Sequence, residues 1–147
     1  PPSDPQTRWS LVATADREYF DLMRSYNGPD APSLQFPDEC PSRRFPLNQP
    51  RLFIGRRSRR RGIDPDIDLS EPPEDPGVSH AHAMIVAAEG WSLVDVGSSN
   101  GTYLNGSDEP APIDTPVPLN VGDRICLGAW TRLTVVDDQR DSDAEAA

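Results

Sequence analysis

Lysine is absent from this sequence, and all 14 of its basic residues are arginine. They stand against 24 acidic residues, which gives a formal net charge of -10. A protein that binds nucleic acid needs many Lys and Arg contacts to the phosphate backbone, and an acidic chain does not supply them. The charge balance therefore argues against nucleic acid as a partner.

Cysteine and long apolar runs are also scarce. The 2 cysteines, Cys40 and Cys126, are too few for a disulfide framework and lie in no C-x-x-C metal or redox spacing. No apolar run approaches the roughly 18 residues that cross a bilayer. We expect no metal, no cofactor, no direct membrane contact by this segment and a cytoplasmic location. Membrane association of a longer parent protein stays open.

Long helices have little room, because 17 prolines and 10 glycines interrupt the chain. Between these breakers lie short runs rich in β-branched and aromatic residues, which predict strands and, together, an all-β sandwich or barrel. The predicted strands are residues 9–14, 44–47, 51–56, 67–69, 82–87, 91–96, 102–105, 124–127 and 132–136.

The predicted organisation is one domain with loose ends. Residues 1–8 are expected to form a flexible leader, residues 9–137 the sandwich, and residues 138–147 a disordered acidic tail. Within the sandwich, residues 16–41 are predicted to be an insertion or a long connection. Its first part, residues 16–26, is ambiguous, and one or two helical turns would fit there.

One motif suggests an enzyme. Gly97 to Gly101 reads GSSNG, which fits the G-x-S-x-G nucleophile elbow of hydrolases with Ser99 as the nucleophile. That elbow needs a helix after the motif, whereas residues 102–105 predict a strand. Both histidines, His80 and His82, also precede the serine. We therefore interpret the motif as a sharp turn and predict no enzymatic activity.

Three loops together supply donors for an anion. Gly55 and Arg56 end a predicted strand, Ser79 lies three residues before His82, and the GSSNG turn adds hydroxyls and an amide. A phosphate dianion has only acceptor oxygens and needs charge-assisted hydrogen bonds from such donors.

The segments Gly55-Arg56, Ser79 to His82 (SHAH) and Gly97 to Gly106 (GSSNGTYLNG) resemble, in order and spacing, the signature of the forkhead-associated (FHA) family. The resemblance covers about residues 44–136. It implies a β-sandwich of about eleven strands whose loops at one end bind phosphothreonine peptides without catalysis. The implied partner is a phosphothreonine-containing protein, such as a Ser/Thr protein kinase or its substrate.

The resemblance also implies roles for the binding residues. Arg56 and Ser79 would contact the phosphate, and Ser99 would bond the phosphate or the peptide backbone. Asn100 would hold the loop or the peptide main chain, and Asn105 would bond the peptide backbone beyond the phosphothreonine.

Further residues have a supporting or open role. Gly55, Gly101 and His82 are expected to support the site, with His82 locking the binding loop by a side-chain hydrogen bond. His80 replaces an Arg or Asn that the family often carries, so it either contacts the phosphate or is a solvated loop residue. A protonated His80 facing the phosphate would add a charge-assisted bond.

The arginine-rich run has two interpretations as well. Arg57, Arg59, Arg60 and Arg61 form either a solvated loop or a surface that selects acidic residues flanking the phosphothreonine. For the whole domain, the alternative function is a phosphorylation-independent scaffold or structural interaction domain that pairs through a sheet face. The acidic segments 64–68 and 71–75 lack calcium-loop spacing, which argues against a calcium site.

Overall fold

The computed structural model describes residues 9–26, 36–71, 74–87, 90–107 and 109–138. In this part of the chain it contains ten strands and one helix. Their bounds are β1 Trp9–Ala15, α1 Arg17–Tyr26, β2 Arg43–Pro46, β3 Arg51–Gly55, β4 Ile67–Asp68, β5 Ala81–Ala87, β6 Trp91–Asp95, β7 Thr102–Leu104, β8 Val117–Pro118, β9 Arg124–Leu127 and β10 Thr131–Asp137. The predicted leader 1–8 and residues 139–147 of the predicted tail lie outside the described residues.

The strands form two five-stranded sheets, with orders β2-β1-β10-β9-β7 and β4-β3-β5-β6-β8. The pairs are antiparallel except for β3 with β4, which run parallel. Strand β1 pairs with β10 along its whole length, from Trp9 opposite Asp137 to Ala15 opposite Thr131. The first predicted strand therefore closes the domain against the last one, and the predicted all-β sandwich is confirmed.

The core lies between the two sheets, because side chains along each strand alternate between the inner and outer face. On β1 the inward residues Leu11 and Ala13 are buried, and on β10 Leu133 and Val135 are buried. From the other sheet, Leu52, Ile54, Ile85 and Leu93 fill the same cluster. Burying an aliphatic side chain of this size contributes about 1.5–3 kcal/mol, so this layer supplies much of the stability of the fold.

The ambiguous segment 16–26 is a helix of ten residues. It begins after Asp16, whose carboxylate accepts a hydrogen bond from the Tyr19 amide at 3.0 Å, as an N-cap does. Tyr19, Phe20 and Met23 lie on its buried face. The Tyr19 hydroxyl donates to the Gly128 carbonyl at 2.9 Å, so the helix is fastened to the turn between β9 and β10. No helix in the described residues is long and apolar enough to cross a membrane.

Two details differ from the predicted strands. The two-residue strand Val117–Pro118 was not predicted, because a proline argues against a strand. The strand can form because it lies at a sheet edge, where proline is tolerated. The described residues contain ten strands, compared with about eleven implied by the resemblance. At the C-terminal end, Asp138 accepts a hydrogen bond from the Ser10 hydroxyl at 2.7 Å. This contact ties the first residue assigned to the tail to β1.

Candidate functional site

Three loops meet at one end of the sandwich because β3, β5 and β6 are neighbours in one sheet. Both pairs are antiparallel, so the ends of β3 and β6 lie beside the start of β5. We name each loop after its predicted phosphate-binding residue: the Arg56 loop (residues 56–66), the Ser79 loop (residues 74–80) and the Ser99 loop (residues 96–101).

The loops enclose an open cleft of about 190 Å³. This space is below the roughly 300–1,000 Å³ of typical small-molecule pockets, and its lining is mostly polar. The lining residues are Arg56, Arg61, Pro76, Gly77, Val78, Ser79, His80, Ser99 and Asn100. Most of the predicted phosphate-binding residues thus surround one cleft.

Arg56 is held in a fixed position at the cleft. Its Nε donates to the Val78 carbonyl at 2.5 Å, and its Nη1 lies 3.5 Å from Oε2 of Glu74. Gly55 makes this position possible, since a Cβ at residue 55 would lie 1.9 Å from the His80 carbonyl oxygen. The β3–β5 register shifts between Ile54 and Gly55, which brings the two backbones together there.

Ser79 links its own loop to the Ser99 loop. The Ser99 amide donates to the Ser79 hydroxyl oxygen at 3.0 Å. The Ser79 hydroxyl proton is not used in this contact, so it can point into the cleft. The Ser99 amide is occupied, which leaves the Ser99 hydroxyl as the group that this residue can offer to a ligand.

His82 is fully buried beneath the two loops. Its Nδ1 accepts a hydrogen bond from the Ser79 amide at 3.0 Å, and its Nε2 lies 3.1 Å from the Gly101 carbonyl. A carbonyl only accepts, so Nε2 carries a proton. Nδ1 is an acceptor and carries none, so the ring is neutral. Burial lowers the pKa of His82, which is consistent with this neutral state. His82 therefore ties the Ser79 loop to the Ser99 loop.

His80 lines the cleft and differs from His82 in which ring nitrogen faces a carbonyl. Its Nδ1 lies 3.0 Å from the Arg56 carbonyl, so Nδ1 carries the proton that is donated there. The Arg56 amide donates back to the His80 carbonyl at 3.2 Å. In a neutral ring Nε2 is then an acceptor, and it becomes a donor for an anion only when the ring is protonated.

Asn100 bridges two loops at the rim. Its Nδ2 donates to the Gly77 carbonyl at 2.9 Å, which joins the Ser99 loop to the Ser79 loop. One N–H of the Asn100 amide group remains for a ligand. Asn100 is itself exposed, so that proton is accessible.

Asn105 lies outside the cleft lining. Its Nδ2 donates to Oδ1 of Asp123 at 3.1 Å, and its Oδ1 accepts from the Arg124 amide at 2.9 Å. It adopts a left-handed backbone with a φ of 53°, which asparagine tolerates better than most residues. Here the side chain fastens the end of β7 to the start of β9.

The four arginines of the arginine-rich run differ in their contacts. Arg57 is paired with Asp68 at 3.4 Å and with Asp64 at 3.9 Å. Arg59 and Arg60 are exposed, and only Arg61 of the four lines the cleft. Reciprocal backbone hydrogen bonds of 2.9 Å between residues 58 and 63 close this part of the loop.

Asp95 holds the Ser99 loop in place by hydrogen bonds, and it was not among the predicted site residues. Its Oδ1 accepts from the amides of Gly97 and Ser98 at 2.7 and 2.9 Å, and its Oδ2 accepts from the hydroxyls of Ser98 and Thr102 at 2.6 and 2.7 Å. Burial raises the pKa of Asp95, but these hydrogen bonds, those from Ser98 first, lower it by more. Aspartate two residues before glycine is the turn signal that could have identified it.

Asp75 was also missed. Its buried carboxylate accepts from the amides of Gly77, Ala129 and Trp130 at 2.8–2.9 Å and from both the amide and the hydroxyl of Thr131 at 3.1 and 2.8 Å. Gly77 is required here, because a Cβ would lie 2.7 Å from the Ala129 nitrogen. Asp75 thus fixes the base of the Ser79 loop to the turn after β9.

The hydrolase interpretation lacks its structural context. The GSSNG turn is followed by the strand Thr102–Leu104, not by a helix. The hydrogen bond from the turn to His82 runs through the Gly101 carbonyl, and no histidine hydrogen bond to the Ser99 hydroxyl is present in the described residues.

Comparison with known proteins agrees with the fold and the loops. The family model for the FHA domain matches residues 52–128. Protein FraH of Nostoc sp. is 38% identical over 84 residues, which cover 56% of this chain and 28% of FraH. The glycogen accumulation regulator GarA of Mycolicibacterium smegmatis is 36% identical over 102 residues, covering 69% of this chain and 55% of GarA. The chain therefore spans less than two thirds of either relative.

Among solved structures, one from a study of phosphothreonine-dependent FHA domain interactions superposes with a TM-score of 0.51 and 26% identity. It covers 86% of this chain and 95% of the other. The matched segment 52–128 contains all three loops of the cleft. The resemblance seen in the sequence is confirmed, and the chain belongs to the FHA domain family.

Proposed function

We propose that this chain is a phosphothreonine-dependent interaction module whose cleft captures a phosphorylated segment of a partner protein. The observation that carries the proposal is the convergence of Arg56, Ser79 and Ser99 on one small polar cleft. Its volume of about 190 Å³ suits a single phosphate group better than a larger ligand.

The donor groups at the cleft support a phosphate ligand. Beyond the Nε–H that it gives to Val78, the Arg56 guanidinium has two Nη groups, of which Nη1 lies 3.5 Å from Glu74. Ser79 keeps its hydroxyl proton because its oxygen serves as the acceptor for the Ser99 amide. With the Ser99 hydroxyl, these groups can meet several oxygens of one phosphate, as charge-assisted recognition requires.

Binding energy would depend on the added charge. Phosphorylation adds about -1.5 to -2 charges, and a hydrogen bond to a charged group contributes roughly 1.5–3 kcal/mol. An unmodified threonine offers one hydroxyl and no charge in the same place. The cleft would therefore separate the two states of the partner by differential binding alone, and neither catalysis nor a cofactor is needed.

The expected partner is a phosphothreonine-containing protein, either a Ser/Thr protein kinase or a substrate of one. We place the interaction in Ser/Thr kinase signalling in the cytoplasm. Two similarities support this. The matching solved structure comes from work on phosphothreonine-dependent FHA domain interactions, and GarA is named as a regulator. An FHA module on this chain would serve a regulatory contact in the same way.

Residues around the cleft would set the choice of flanking sequence. Because Arg57 is paired with Asp68 and Asp64, we assign selection of acidic flanking residues to Arg59, Arg60 and above all Arg61 at the cleft edge. Asn105 would reach the peptide backbone only with the hydrogen-bonding capacity left by Asp123 and Arg124.

The test uses three immobilised degenerate peptide pools that differ only at the central residue: phosphothreonine, phosphoserine and unmodified threonine. We expect retention on the first pool, weaker retention on the second and none on the third. Phosphatase treatment of the first pool should abolish retention. Equal retention on all three pools would instead favour the phosphorylation-independent scaffold.

A further inference from the structure

Arg56 has an acidic neighbour that belongs to neither the phosphate-binding set nor the loop anchors. Oε2 of Glu74 lies 3.5 Å from Nη1 of Arg56. The Arg56 side chain is 18% exposed and is fixed through Nε to Val78, whereas the Glu74 side chain is 46% exposed. Glu74 can therefore leave this contact while the guanidinium stays in place.

We propose that Glu74 competes with the ligand for Arg56. In the free protein the Glu74 carboxylate contacts the Arg56 guanidinium, and this contact lowers the affinity of the cleft for anions. The inference rests on the proposed function, because it requires that Arg56 receives a phosphate. The ligand must displace the Glu74 carboxylate before it can take the place of Glu74 at Nη1 of Arg56.

The position of Glu74 in the chain supports the competition. Its neighbour Asp75 is buried and receives hydrogen bonds from Gly77 and from the turn after β9, so the backbone at residue 74 is anchored next to the cleft. A carboxylate tethered so close has an effective concentration in the millimolar range. A ligand that offers Arg56 only another carboxylate would gain little from replacing it.

A phosphate differs from a carboxylate in ways that favour displacement. It carries up to two charges and three terminal oxygens, so it can reach the Ser79 and Ser99 hydroxyls while it contacts Arg56. The contact that it replaces is long and half exposed, and exposed ion pairs are weak. Glu74 would thus lower the affinity of the cleft for every anion, but a phosphorylated segment could still displace it and bind.

The test compares Glu74→Gln with Glu71→Gln, which removes the same charge from an exposed residue three positions earlier. Two probes are used: the degenerate phosphothreonine pool, and inorganic phosphate titrated by NMR. We expect Glu74→Gln to bind both probes more tightly by about the same factor, roughly two- to five-fold. Glu71→Gln should stay close to the wild type. Glu74→Ala serves as a second variant, and thermal unfolding checks that each variant is folded.

The outcomes separate the two proposals. An unchanged or weaker affinity of the folded Glu74 variants would overturn the competition. So would a gain on the peptides without a gain on inorganic phosphate, or an equal gain in Glu71→Gln. If wild type and both Glu74 variants show no preference for the phosphothreonine pool over the unmodified pool, the proposed function itself fails.

Discussion

Replacing Asp95 by asparagine removes one charge while keeping the shape of the side chain. The Asn oxygen can still accept from the amides of Gly97 and Ser98, and its NH₂ group can face the hydroxyls of Ser98 and Thr102, which can turn to accept. The four contacts of the carboxylate, at 2.6–2.9 Å, would then all become contacts between neutral groups. The variant therefore isolates the contribution of charge to the Ser99 loop.

The expected loss of stability follows from these contacts. A hydrogen bond to a charged group contributes about 1.5–3 kcal/mol and a neutral one about 0.5–1.5 kcal/mol. Because the four bonds share one carboxylate and their contributions do not add fully, we expect the free energy of unfolding to fall by about 2 kcal/mol. For a chain of 147 residues this corresponds to a decrease in Tm of about 4–8 °C.

The effect should depend on pH in a defined direction. The pKa of Asp95 is lowered in the folded protein, so its carboxylate stabilises the fold above the unfolded value of about 3.9. That contribution is lost as the pH falls through the folded pKa. The difference between wild type and Asp95→Asn should therefore be full at pH 7 and smaller below about pH 3.

Urea unfolding at both pH values measures this difference. Asp38→Asn, at an exposed carboxylate, is the matched control and should change stability little at either pH. Equal stability of Asp95→Asn and wild type at pH 7 would refute the reasoning. A difference that is the same at both pH values would show that the charge of Asp95 is not its cause.

Two further predictions concern Gly55 and His82. Gly55→Ala would place a Cβ 1.9 Å from the His80 carbonyl oxygen, so we expect urea unfolding to show a loss of about 2 kcal/mol or more, together with weaker peptide binding. The control Gly62→Ala, at a left-handed position with open space around it, should lower the free energy of unfolding by about 1 kcal/mol. Equal losses in the two variants would contradict the account. For His82, the lowered folded pKa means that stability is present above the unfolded value of about 6.5 and decreases as the pH falls below it, by at most about 1.4 kcal/mol per pH unit. NMR of the imidazole nitrogens should show the Nε2–H tautomer at pH 7 and a midpoint below 6.5, and a proton on Nδ1 would disprove the loop-locking contact.

Most of the fold could be predicted from the sequence, because the strands are short apolar runs bounded by Gly, Pro and Asn. Strand β1 was predicted as residues 9–14 and is observed as Trp9–Ala15. The edge strand Val117–Pro118 could not be predicted, since proline prevents a strand pattern there. The helix Arg17–Tyr26 stayed ambiguous because its burial depends on tertiary contacts with the turn after β9.

The site was predicted at the level of its loops but not of their anchors. Arg56, Ser79 and Ser99 are recognisable because a phosphate needs donors and the family motif contains them. Asp95 receives its amide hydrogen bonds from residues two and three positions later, so only the local Asp-x-Gly turn pattern marks it in the sequence. The role of Asp75 arises only when the fold brings distant amides to it, such as that of Trp130. The Glu74 contact likewise depends on the path of a loop.

Calorimetric titration of a phosphothreonine peptide selected from the pool tests the central claim most directly. The comparison is between wild type, Arg56→Ala and Arg57→Ala, two variants that remove the same charge from adjacent residues. The account predicts that Arg56→Ala weakens binding about ten- to more than a hundred-fold, while Arg57→Ala, whose side chain is paired with Asp68, stays within about three-fold of wild type. A folded Arg56→Ala variant that binds within about two-fold of wild type would contradict it.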